Sequence, residues 1–210
     1  MKAIMISIKP KWCAKIMNRE KTIEVRKENV GKAVQTLINE NGYADIYVYC
    51  TKDKWLLYKN KTENKWDVLK LIRGYKVSSS FNGKVIFKFR CYKVDDYVNG
   101  RKWSWKVGAP MWGACNDYEY IFKDACLTDD ELRNYVEDLA FSAIHISVLE
   151  IFDRPRELWE FYKIGFDKAL KESLESKPYP VSSAYIEKQY QLIKAPQSFC
   201  YIEVEDEQNE

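Results

Sequence analysis

Residues 4–27 read IMISIKPKWCAKIMNREKTIEVRK, and this stretch carries the strongest fold signal in the chain. Three isoleucines alternate with other residues over positions 4–8, a spacing typical of a half-buried strand. Pro10 suits the first turn of a helix, and apolar residues at near-helical spacing behind it predict a short helix over residues 10–18. Residues 21–26 alternate again and predict a second strand. The stretch therefore indicates strand, helix and strand in succession.

The second strand carries polar side chains on one face. Because side chains alternate along a strand, Thr22, Glu24 and Arg26 share that face, while Ile23 and Val25 point inward on the other. The polar face either lines a ligand groove or is a solvent-exposed stripe with an internal Glu24–Arg26 ion pair. In a groove, Arg26 could fork onto a phosphate or a base edge, and Glu24 could accept from an exocyclic amine such as that of cytosine.

The composition is that of a soluble globular protein, with 210 residues of which 46% are hydrophobic and 31% are charged. No apolar run approaches about eighteen residues and no apolar segment follows Met1, so we expect a cytoplasmic protein with neither membrane span nor signal peptide. Six cysteines without a C-x-x-C pair predict reduced, mostly buried thiols. Because His145 is the only histidine, the chain has no recognisable zinc set, and we expect neither a metal nor a cofactor.

The net charge of +3 conceals an uneven distribution of charge along the chain. Residues 1–110 carry a net charge of +14, whereas residues 111–210 carry −11. Such a division suits either a cationic face that steers an anionic ligand or two solvated faces that attract each other. On the first interpretation, the excess Lys and Arg of residues 1–110 gather on the side of a groove.

Further elements follow from the same patterns. Alternation predicts strands at residues 45–51, 84–94, 142–151 and 199–204. Helices are predicted over residues 128–136 and 153–174, with some helical character over residues 30–42. Thr128 and Glu131 have the spacing of a capping box at the start of the first of these helices.

Two less regular segments interrupt the pattern. Residues 52–82 are lysine-rich and irregular, with a helix predicted around residues 66–73, and residues 99–126 predict a packed aromatic loop that contains Trp103, Trp105 and Trp112. Short strands with helices in the connections argue for an α+β fold, with a mixed, mainly antiparallel sheet or small β-barrel and surrounding helices. We expect one domain over residues 1–204 with insertions at about 52–82 and 99–126, and an acidic tail at 205–210 that frays.

The chain resembles the ASCH domains of bacteria and their phages, and these domains belong to the PUA-like superfold. Residues 4–27 resemble the N-terminal signature, and later segments follow in the family's order: YVYCT (47–51), GKVIFKFRC (83–91), AIHISVLEIFDRPREL (143–158) and APQSFCYIEV (195–204). The resemblance implies a small β-barrel surrounded by helices, with a groove that receives RNA, a nucleotide or a modified base in related domains. A fold does not define an activity, so the site has to be argued separately.

Some ASCH relatives are amidohydrolases that remove an acyl group from the exocyclic amine of a cytidine with a lysine, a threonine and a glutamate. By this resemblance the lysine falls on Lys21, but Glu24 stands where the family has the threonine. The strand at 84–92, where the glutamate is expected, contains none. The resemblance therefore does not carry that mechanism to this chain.

Candidate ligand-binding residues cluster in the N-terminal stretch. Lys21 could hold a phosphate, or act as a base if burial lowered its pKa. Trp12 could stack on a base or pack in the core, and His145 is either a groove residue or a hydrogen-bonded structural histidine. The complete set is Lys9, Trp12, Lys21, Thr22, Glu24, Arg26, His145, Ser147, Gln197 and Ser198.

Three hypotheses for function follow from these residues. The first is an RNA- or nucleotide-binding protein that uses a cationic groove. The second is a hydrolase or ribonuclease acting on RNA or on a modified nucleoside, with Lys21 and Glu24 as the catalytic candidates for proton transfer. The third is a protein-interaction adaptor whose basic face meets an acidic protein partner. None of the three involves a membrane.

Overall fold

A computed structural model of the protein describes residues 1–71, 81–98, 101–103, 118–136, 140–175 and 181–204. Its strands, in chain order, are β1 (Lys2–Ile8), β2 (Ile23–Lys27), β3 (Ala44–Cys50), β4 (Trp55–Asn60), β5 (Lys65–Lys70), β6 (Lys84–Cys91), β7 (Val94–Val98), β8 (Arg101–Trp103), β9 (Phe141–His145), β10 (Leu149–Arg156), β11 (Tyr162–Lys163) and β12 (Phe199–Glu203). Its α-helices are α1 (Pro10–Met17), α2 (Glu28–Asn41), α3 (Tyr118–Ala125), α4 (Asp129–Tyr135), α5 (Phe166–Glu175) and α6 (Ser183–Tyr190). A 3-10 helix spans Leu158–Glu160. None of the described helices is long and apolar enough to cross a membrane.

The strands form two sheets and a separate hairpin. The larger sheet has the order β10-β6-β3-β1-β12-β11, the smaller sheet has the order β2-β9-β7-β8, and β4 pairs with β5 in the hairpin. Between described strands, the β1–β3 pairing is parallel and the others are antiparallel. The predicted mixed, mainly antiparallel α+β architecture is thus confirmed. The pairings of the described strands leave two separate sheets, so the closed barrel stays a prediction.

Strand β1 is buried on both faces, and the prediction of a half-buried strand is wrong. The strand lies between β3 and β12 in the interior of the larger sheet. Ile4 and Ile6 pack in the core between the sheets, whereas Met5 packs in a second core on the opposite face. Phe161 and Leu192 from the C-terminal part of the chain belong to this second core. The alternation in the sequence is real, but a later segment covers the face that alternation assigns to solvent.

The smaller sheet lies between the central core and the helices α3 and α4. Ile144 of β9 packs in the central core, whereas Ile23 of β2 packs with Ile121 of α3 and Leu132 of α4. Because Glu24 pairs with Ile144 across the two strands, the side chain of Glu24 lies on the face directed towards the larger sheet. The polar face of β2 is therefore turned into the molecule.

Helix α4 begins with the predicted capping box. Thr128 Oγ1 accepts from the backbone N–H of Glu131 at 3.1 Å, and the Glu131 carboxylate accepts from the backbone N–H of Thr128 at 3.0 Å. The two side chains satisfy donors that the first turn leaves unpaired, which defines where this helix starts.

Helix α2 is longer than the partial helix predicted there, and it packs closely on the smaller sheet. A Cβ atom at Gly31 would lie 1.8 Å from Ser142 Oγ, so only glycine allows the helix to approach β9 this closely. Ser142 Oγ in turn donates to a carboxylate oxygen of Asp96 on β7. The helix ends at Gly42, whose φ of +82° lies in the left-handed region that favours glycine.

Residues 55–70 form the hairpin, and the prediction of an irregular segment with a helix from residue 66 is wrong. Lys59 pairs with Trp66 and Leu57 pairs with Val68. Leu57 is fully buried, and Trp66 and Val68 pack against the central core beside it. Trp66 and Leu69 have helical spacing, but an odd separation places them on opposite faces of a strand. The end of the predicted helix, at 72–73, lies outside the described residues.

Other predictions for the rest of the chain are wrong in part or concern residues that the structure does not describe. Residues 142–151 belong to two strands of different sheets, because β9 ends at His145 and β10 begins at Leu149. The helix predicted over residues 153–174 is wrong in its first part, since β10 extends to Arg156 and tolerates Pro155 as an edge strand with an irregular register. Its second part is confirmed, because α5 spans Phe166–Glu175. Within 99–126, α3 replaces part of the predicted loop, while residues 99–100, 104–117 and the tail at 205–210 lie outside the described residues, as do Trp105 and Trp112.

Candidate functional site

Lys21, Glu24 and Arg26 meet where α1, β2 and the end of α3 come together, and we call them the charged cluster. Lys21 Nζ lies 3.3 Å from Glu24 Oε2, and Arg26 Nε lies 2.9 Å from Glu24 Oε1. Glu24 and Arg26 are two residues apart in β2, so their side chains leave the strand on the same face. The carboxylate of Glu24 therefore bridges two cations.

Two backbone carbonyl groups hold the cations of the cluster from outside. Lys21 Nζ donates to the carbonyl oxygen of Ala125 at 2.8 Å, at the end of α3 where a helix leaves carbonyl groups unpaired. Arg26 Nη2 donates to the carbonyl oxygen of Ser7 at 2.7 Å. The Nε–H of Arg26 is close to Glu24 but is not aligned for a hydrogen bond. Sequence spacing could not reveal Ser7 or Ala125, because both contribute through the backbone.

Burial distinguishes the charged cluster from an ordinary surface ion pair. Lys21 is 3% exposed, Glu24 6% and Arg26 7%, so the interpretation of Glu24 and Arg26 as part of a solvent-exposed stripe is wrong, although the Glu24–Arg26 ion pair that it included is present. Two cations share one carboxylate, which leaves an excess of one positive charge in a place where charge is costly. Burial lowers the pKa of Lys21, and the neighbouring Glu24 carboxylate opposes that shift.

The thiol of Cys13 lies near the charged cluster on α1. Burial raises its pKa well above the ordinary value of 9.0, with further upward contributions from Cys50 and Glu24. This thiol therefore stays neutral beside the charged groups. The five described cysteines are free and three of them are buried, as predicted, while Cys115 lies outside the described residues.

Trp12 lies at the edge of the charged cluster, where its ring faces both the core and the cations. It is half-buried and packs against the central core. Lys11 Nζ lies 4.3 Å and Lys21 Nζ 5.4 Å from the centre of its ring. Both amines are within the range of cation–π attraction. The Trp12 ring therefore covers one cation of the cluster while part of its surface remains exposed.

Helix α4 approaches the cluster from the other side. Lys11 Nζ contacts Glu131 Oε1 at 2.9 Å, which joins α1 to α4 across the surface. Partial burial raises the pKa of Tyr135, at the end of α4, and the nearby Arg26 guanidinium opposes the shift. Tyr135 is thus a neighbour of the cluster that sequence reasoning did not identify, because no local pattern links positions 26 and 135.

Thr22 and Lys9 differ from the other N-terminal candidates in their surroundings. Thr22 is exposed and precedes β2, and its backbone N–H donates to the carbonyl oxygen of Asp124 at 2.8 Å. Thr22 thus differs from the buried Glu24 and Arg26 in its exposure, and its grouping with them on one face stays a prediction. Lys9 is exposed at the N-cap of α1, three residues before Trp12.

His145 and Ser147 are not part of the charged cluster. His145 pairs with Ile23 across β2 and β9, so its side chain lies on the opposite face of the smaller sheet from Glu24. There His145 Nε2 lies 2.9 Å from Asp95 Oδ2, which is also 2.9 Å from Lys93 Nζ. Ser147 is exposed, and its backbone N–H donates to the carbonyl oxygen of Arg90.

Gln197 and Ser198 lie on the segment that leads into β12, close to the Ser7 side of the cluster. Ser7 Oγ donates to the carbonyl oxygen of Pro196 at 2.7 Å, while the Ser7 carbonyl accepts from Arg26. Ser7 thus links Arg26 to the segment that carries these two candidates. Gln197 is exposed and Ser198 is half-buried.

Neither of two surface cavities is lined by Lys21, Glu24 or Arg26. One, of about 470 Å³, lies between the end of α1 and the hairpin and is lined by Met17, Asn18, Arg19, Glu20, Lys59, Glu63, Asn64, Lys65 and Trp66. The other, of about 460 Å³, is lined by Glu150, Ile151, Phe152, Asp153, Arg154 and Arg156 of β10. Among the residues that the structure describes, no group of three or more His, Cys, Asp or Glu side chains has an arrangement that could hold a metal ion.

No protein-family model and no curated protein matches the chain. The chain is similar to two crystal structures of ASCH from Zymomonas mobilis. A serine-to-alanine variant has 14% identity and a TM-score of 0.47, with 95% of this chain and 87% of that chain covered. The other has 14% identity and a TM-score of 0.43, with 95% and 86% covered.

A third similar structure is the N-terminal domain of McrB from Staphylothermus marinus, with 10% identity and a TM-score of 0.37, covering 93% of this chain and 89% of that chain. The likeness to all three structures is distant. The function proposed below therefore rests on the side chains of this protein.

Proposed function

We propose that this protein binds RNA or a nucleotide, with the charged cluster as the contact for the ligand. The observation that carries the proposal is the buried excess of positive charge at Lys21, Glu24 and Arg26. A buried cation without a matching anion reduces stability, and an anionic ligand group supplies the missing charge. The charged cluster is thus prepared for an anion at a cost to the unliganded fold.

The three side chains offer complementary contacts to a nucleotide. The guanidinium of Arg26 suits a phosphate or a base edge, because its donors form a planar fork. The carboxylate of Glu24 accepts from an exocyclic amine such as that of cytosine. Trp12 presents an aromatic ring beside them on which a base can stack. Lys9, at the N-cap of α1, adds an exposed positive charge three residues before Trp12, whereas the charge of Lys11 is paired with Glu131.

Binding at a cationic groove requires a marked dependence on salt. We expect fluorescence anisotropy with a labelled 12-nucleotide single-stranded RNA to show affinity that falls as the salt concentration rises. Arg26→Lys retains the charge but lacks the fork, and it should weaken binding about tenfold, because an amine cannot replace a bidentate hydrogen bond. Arg154→Lys, at an exposed arginine on β10, is the matched control and should bind like the wild type.

Circular dichroism melts of both variants establish that the compared proteins are folded. At about 20–50 mM salt, contacts to phosphate are stronger than at higher salt. If the folded wild type bound neither the RNA nor cytidine monophosphate under these conditions, the proposal would be overturned. Equal affinity of the wild type and Arg26→Lys would remove the charged cluster from the binding site.

One observation favours an enzyme as the second candidate. Lys21, whose pKa is lowered by burial, lies 3.3 Å from Glu24, and such a pair can exchange a proton with a substrate. In this second proposal the protein is a hydrolase or ribonuclease with Lys21 and Glu24 in proton transfer. Incubation with labelled RNA and with N4-acetylcytidine would yield product with the wild type and not with Glu24→Gln. If the wild type forms no product from either substrate, this candidate fails.

A further inference from the structure

We propose that the hairpin, β4 and β5, is a second contact surface for single-stranded nucleic acid, which extends the ligand path from the charged cluster along α1. This inference rests on the proposed function, because it adds contacts for a ligand that the charged cluster already engages. The hairpin lies in the segment at about 52–82, which the sequence predicts to be an insertion.

The hairpin and the residues that lead into it are rich in cations. Residues 52–70 contain six lysines and three acidic residues. Within the described parts of the chain, neither Lys59 nor the nearby Arg19 has an ion-pair partner. Exposed cations of this kind favour a polyanion as partner.

The cavity between α1 and the hairpin brings these cations together. Arg19, Lys59 and Lys65 line it, with Asn18 and Asn64 as further polar groups. Lys65 is paired with Glu20 at 2.8 Å, and Glu63 also lines the cavity, so the three cations exceed the two carboxylates of the lining by one charge. The volume, about 470 Å³, accommodates a phosphate group together with part of a nucleotide.

Arg19 occupies a position where the backbone favours glycine. Its φ is +60°, and it directly follows the C-cap residue Asn18 of α1. The backbone N–H of Glu20 donates to the carbonyl oxygen of Lys15, which completes the hydrogen-bond pattern that usually ends with glycine at this place. A long cation at a strained position is consistent with a side chain that serves a function.

Aromatic rings accompany the cations on the hairpin. Trp55 is 37% exposed and lies on the same face of the hairpin as Lys59, because the two are four residues apart in β4. Lys70 Nζ lies 5.9 Å from the centre of the Trp55 ring, and Lys59 Nζ lies 5.7 Å from that of Trp66. Alternation of rings for bases and amines for phosphates is the usual composition of a surface that binds single strands without sequence preference.

The hairpin is attached directly beside the charged cluster. The side-chain amide of Asn18 donates to the carbonyl oxygen of Trp66 at 2.8 Å, and its oxygen accepts from the Trp66 N–H at 2.9 Å. Asn18 therefore continues the ladder of β5 and holds the hairpin against the end of α1. Glu20, which pairs with Lys65, directly precedes Lys21 of the charged cluster. A strand bound at the charged cluster thus reaches the hairpin without crossing another element.

The experiment compares a long and a short ligand. A double variant, Arg19→Gln with Lys59→Gln, and a control, Lys168→Gln with Lys171→Gln on α5, are titrated with a labelled 12-nucleotide single-stranded RNA and with cytidine monophosphate. We expect the hairpin variant to bind the RNA about tenfold more weakly, and the slope of log affinity against log salt to fall by about 0.7 for each phosphate that the variant no longer neutralises. Its affinity for the mononucleotide and both affinities of the control should match those of the wild type.

A second pair of variants tests the aromatic side chains of the hairpin. Trp55→Ala should weaken binding of the 12-nucleotide RNA about tenfold, whereas Trp159→Ala, at a tryptophan that is 56% exposed on the 3-10 helix, should not. If the hairpin variants and the wild type bind the RNA equally, this inference is wrong and the proposed function stands. If the wild type binds neither ligand, the proposed function fails and the inference fails with it.

Discussion

Arg26 of β2 donates to the carbonyl oxygen of Ser7 at the end of β1, and this 2.7 Å bond ties the smaller sheet to the larger one. The acceptor is free for this contact because the pairing of β1 with β12 ends at Ile6, opposite Phe199. Ser7 also donates through Oγ to Pro196. The same arginine thus serves the candidate site and the junction between the two sheets.

Arg26→Ala should reduce the free energy of unfolding by about 1 to 3 kcal/mol, because it leaves the Ser7 carbonyl without its donor, while Glu24 keeps Lys21 as its ion-pair partner. Arg26→Lys should have a smaller effect, since an amine can still reach one of the two acceptors. Urea unfolding monitored by circular dichroism measures both values. Equal stability of Arg26→Ala and the wild type would show that the bond to Ser7 does not join the sheets in solution.

Substitutions of Lys21 and Glu24, the two other residues of the cluster, should affect the free energy of unfolding differently. Lys21→Met removes the excess charge and leaves a neutral Glu24–Arg26 pair, so the free energy of unfolding should stay the same or rise. Glu24→Gln leaves two cations facing each other and should lower it by about 3 kcal/mol. Urea unfolding of the two variants at pH 7 measures this contrast, and a large drop in the stability of Lys21→Met would contradict a cluster in excess of positive charge.

The lowered pKa of Lys21 makes this contrast depend on pH. Below its folded-state pKa the lysine is charged in both states, and the cost of burying the charge is present in full. As the pH rises from that value towards the ordinary 10.5, the unfolded state holds more protons, and the free energy of unfolding of the wild type rises. Relative to Lys21→Met, the wild type should therefore become more stable between neutral pH and pH 10.5. A difference that stays constant over this range would contradict the burial of a charged Lys21.

Much of the fold is accessible from local patterns, and the failures have a common cause. The strands β1, β3, β6 and β12 follow from alternation, and the box at Thr128 and Glu131 defines the start of α4. Alternation shows which residues share a face but not what covers that face. It therefore assigns to solvent the side of β1 on which Phe161 and Leu192 pack.

The hairpin and β10 show the limits of spacing in short segments. Trp66 and Leu69 have a spacing that is typical of a helix, but the segment is a strand. Trp66 and Val68, which are two residues apart, both pack against the central core. Pro155 resembles a first helical turn, yet an edge strand accepts it because no neighbour requires its missing N–H. Both decisions depend on residues distant in the sequence.

The candidate site can be predicted from the sequence only in part. Residues 21–26 are close in sequence, so the grouping of Lys21, Glu24 and Arg26 follows from alternation and charge. Their burial does not, because it depends on α3 and α4, which the sequence places about a hundred residues later. Sequence alone leaves open a place for His145 beside the cluster, and only its pairing with Ile23 assigns it to the opposite face.

Gly31→Ala should be strongly destabilising in spite of the good helix propensity of alanine. The added Cβ would lie 1.8 Å from Ser142 Oγ and 2.2 Å from Ser142 Cβ, so α2 must move away from β9. Overpacking of this kind costs about 1 to 3 kcal/mol. Ser142→Gly should lower the free energy of unfolding less in the Gly31→Ala background than in the wild type. A double-mutant cycle by urea unfolding measures this coupling. Additive effects would show that the helix and the strand do not touch here.

Glu20 should report directly on the attachment of the hairpin to α1. The hydrogen bond from Lys65, with support from Lys15, holds the pKa of Glu20 below its ordinary value of 4.5. A carboxylate with a lowered pKa contributes stability above its unfolded-state pKa, and the contribution is lost as the pH falls through its folded-state pKa. Lys65→Met should therefore raise the pKa of Glu20 in a carbon-detected NMR titration, because the strongest of its partners is removed.

The reciprocal control is Lys11→Met, which removes the hydrogen bond that lowers the pKa of Glu131. In that variant the pKa of Glu131 should rise while that of Glu20 stays at its wild-type value, since the two pairs lie on different elements. Lys65→Met should show the opposite pattern. A Glu20 pKa that does not move in Lys65→Met would mean that the hairpin is not held at the end of α1 by this pair in solution. The ligand path along α1 would then depend on the two hydrogen bonds between Asn18 and Trp66 alone.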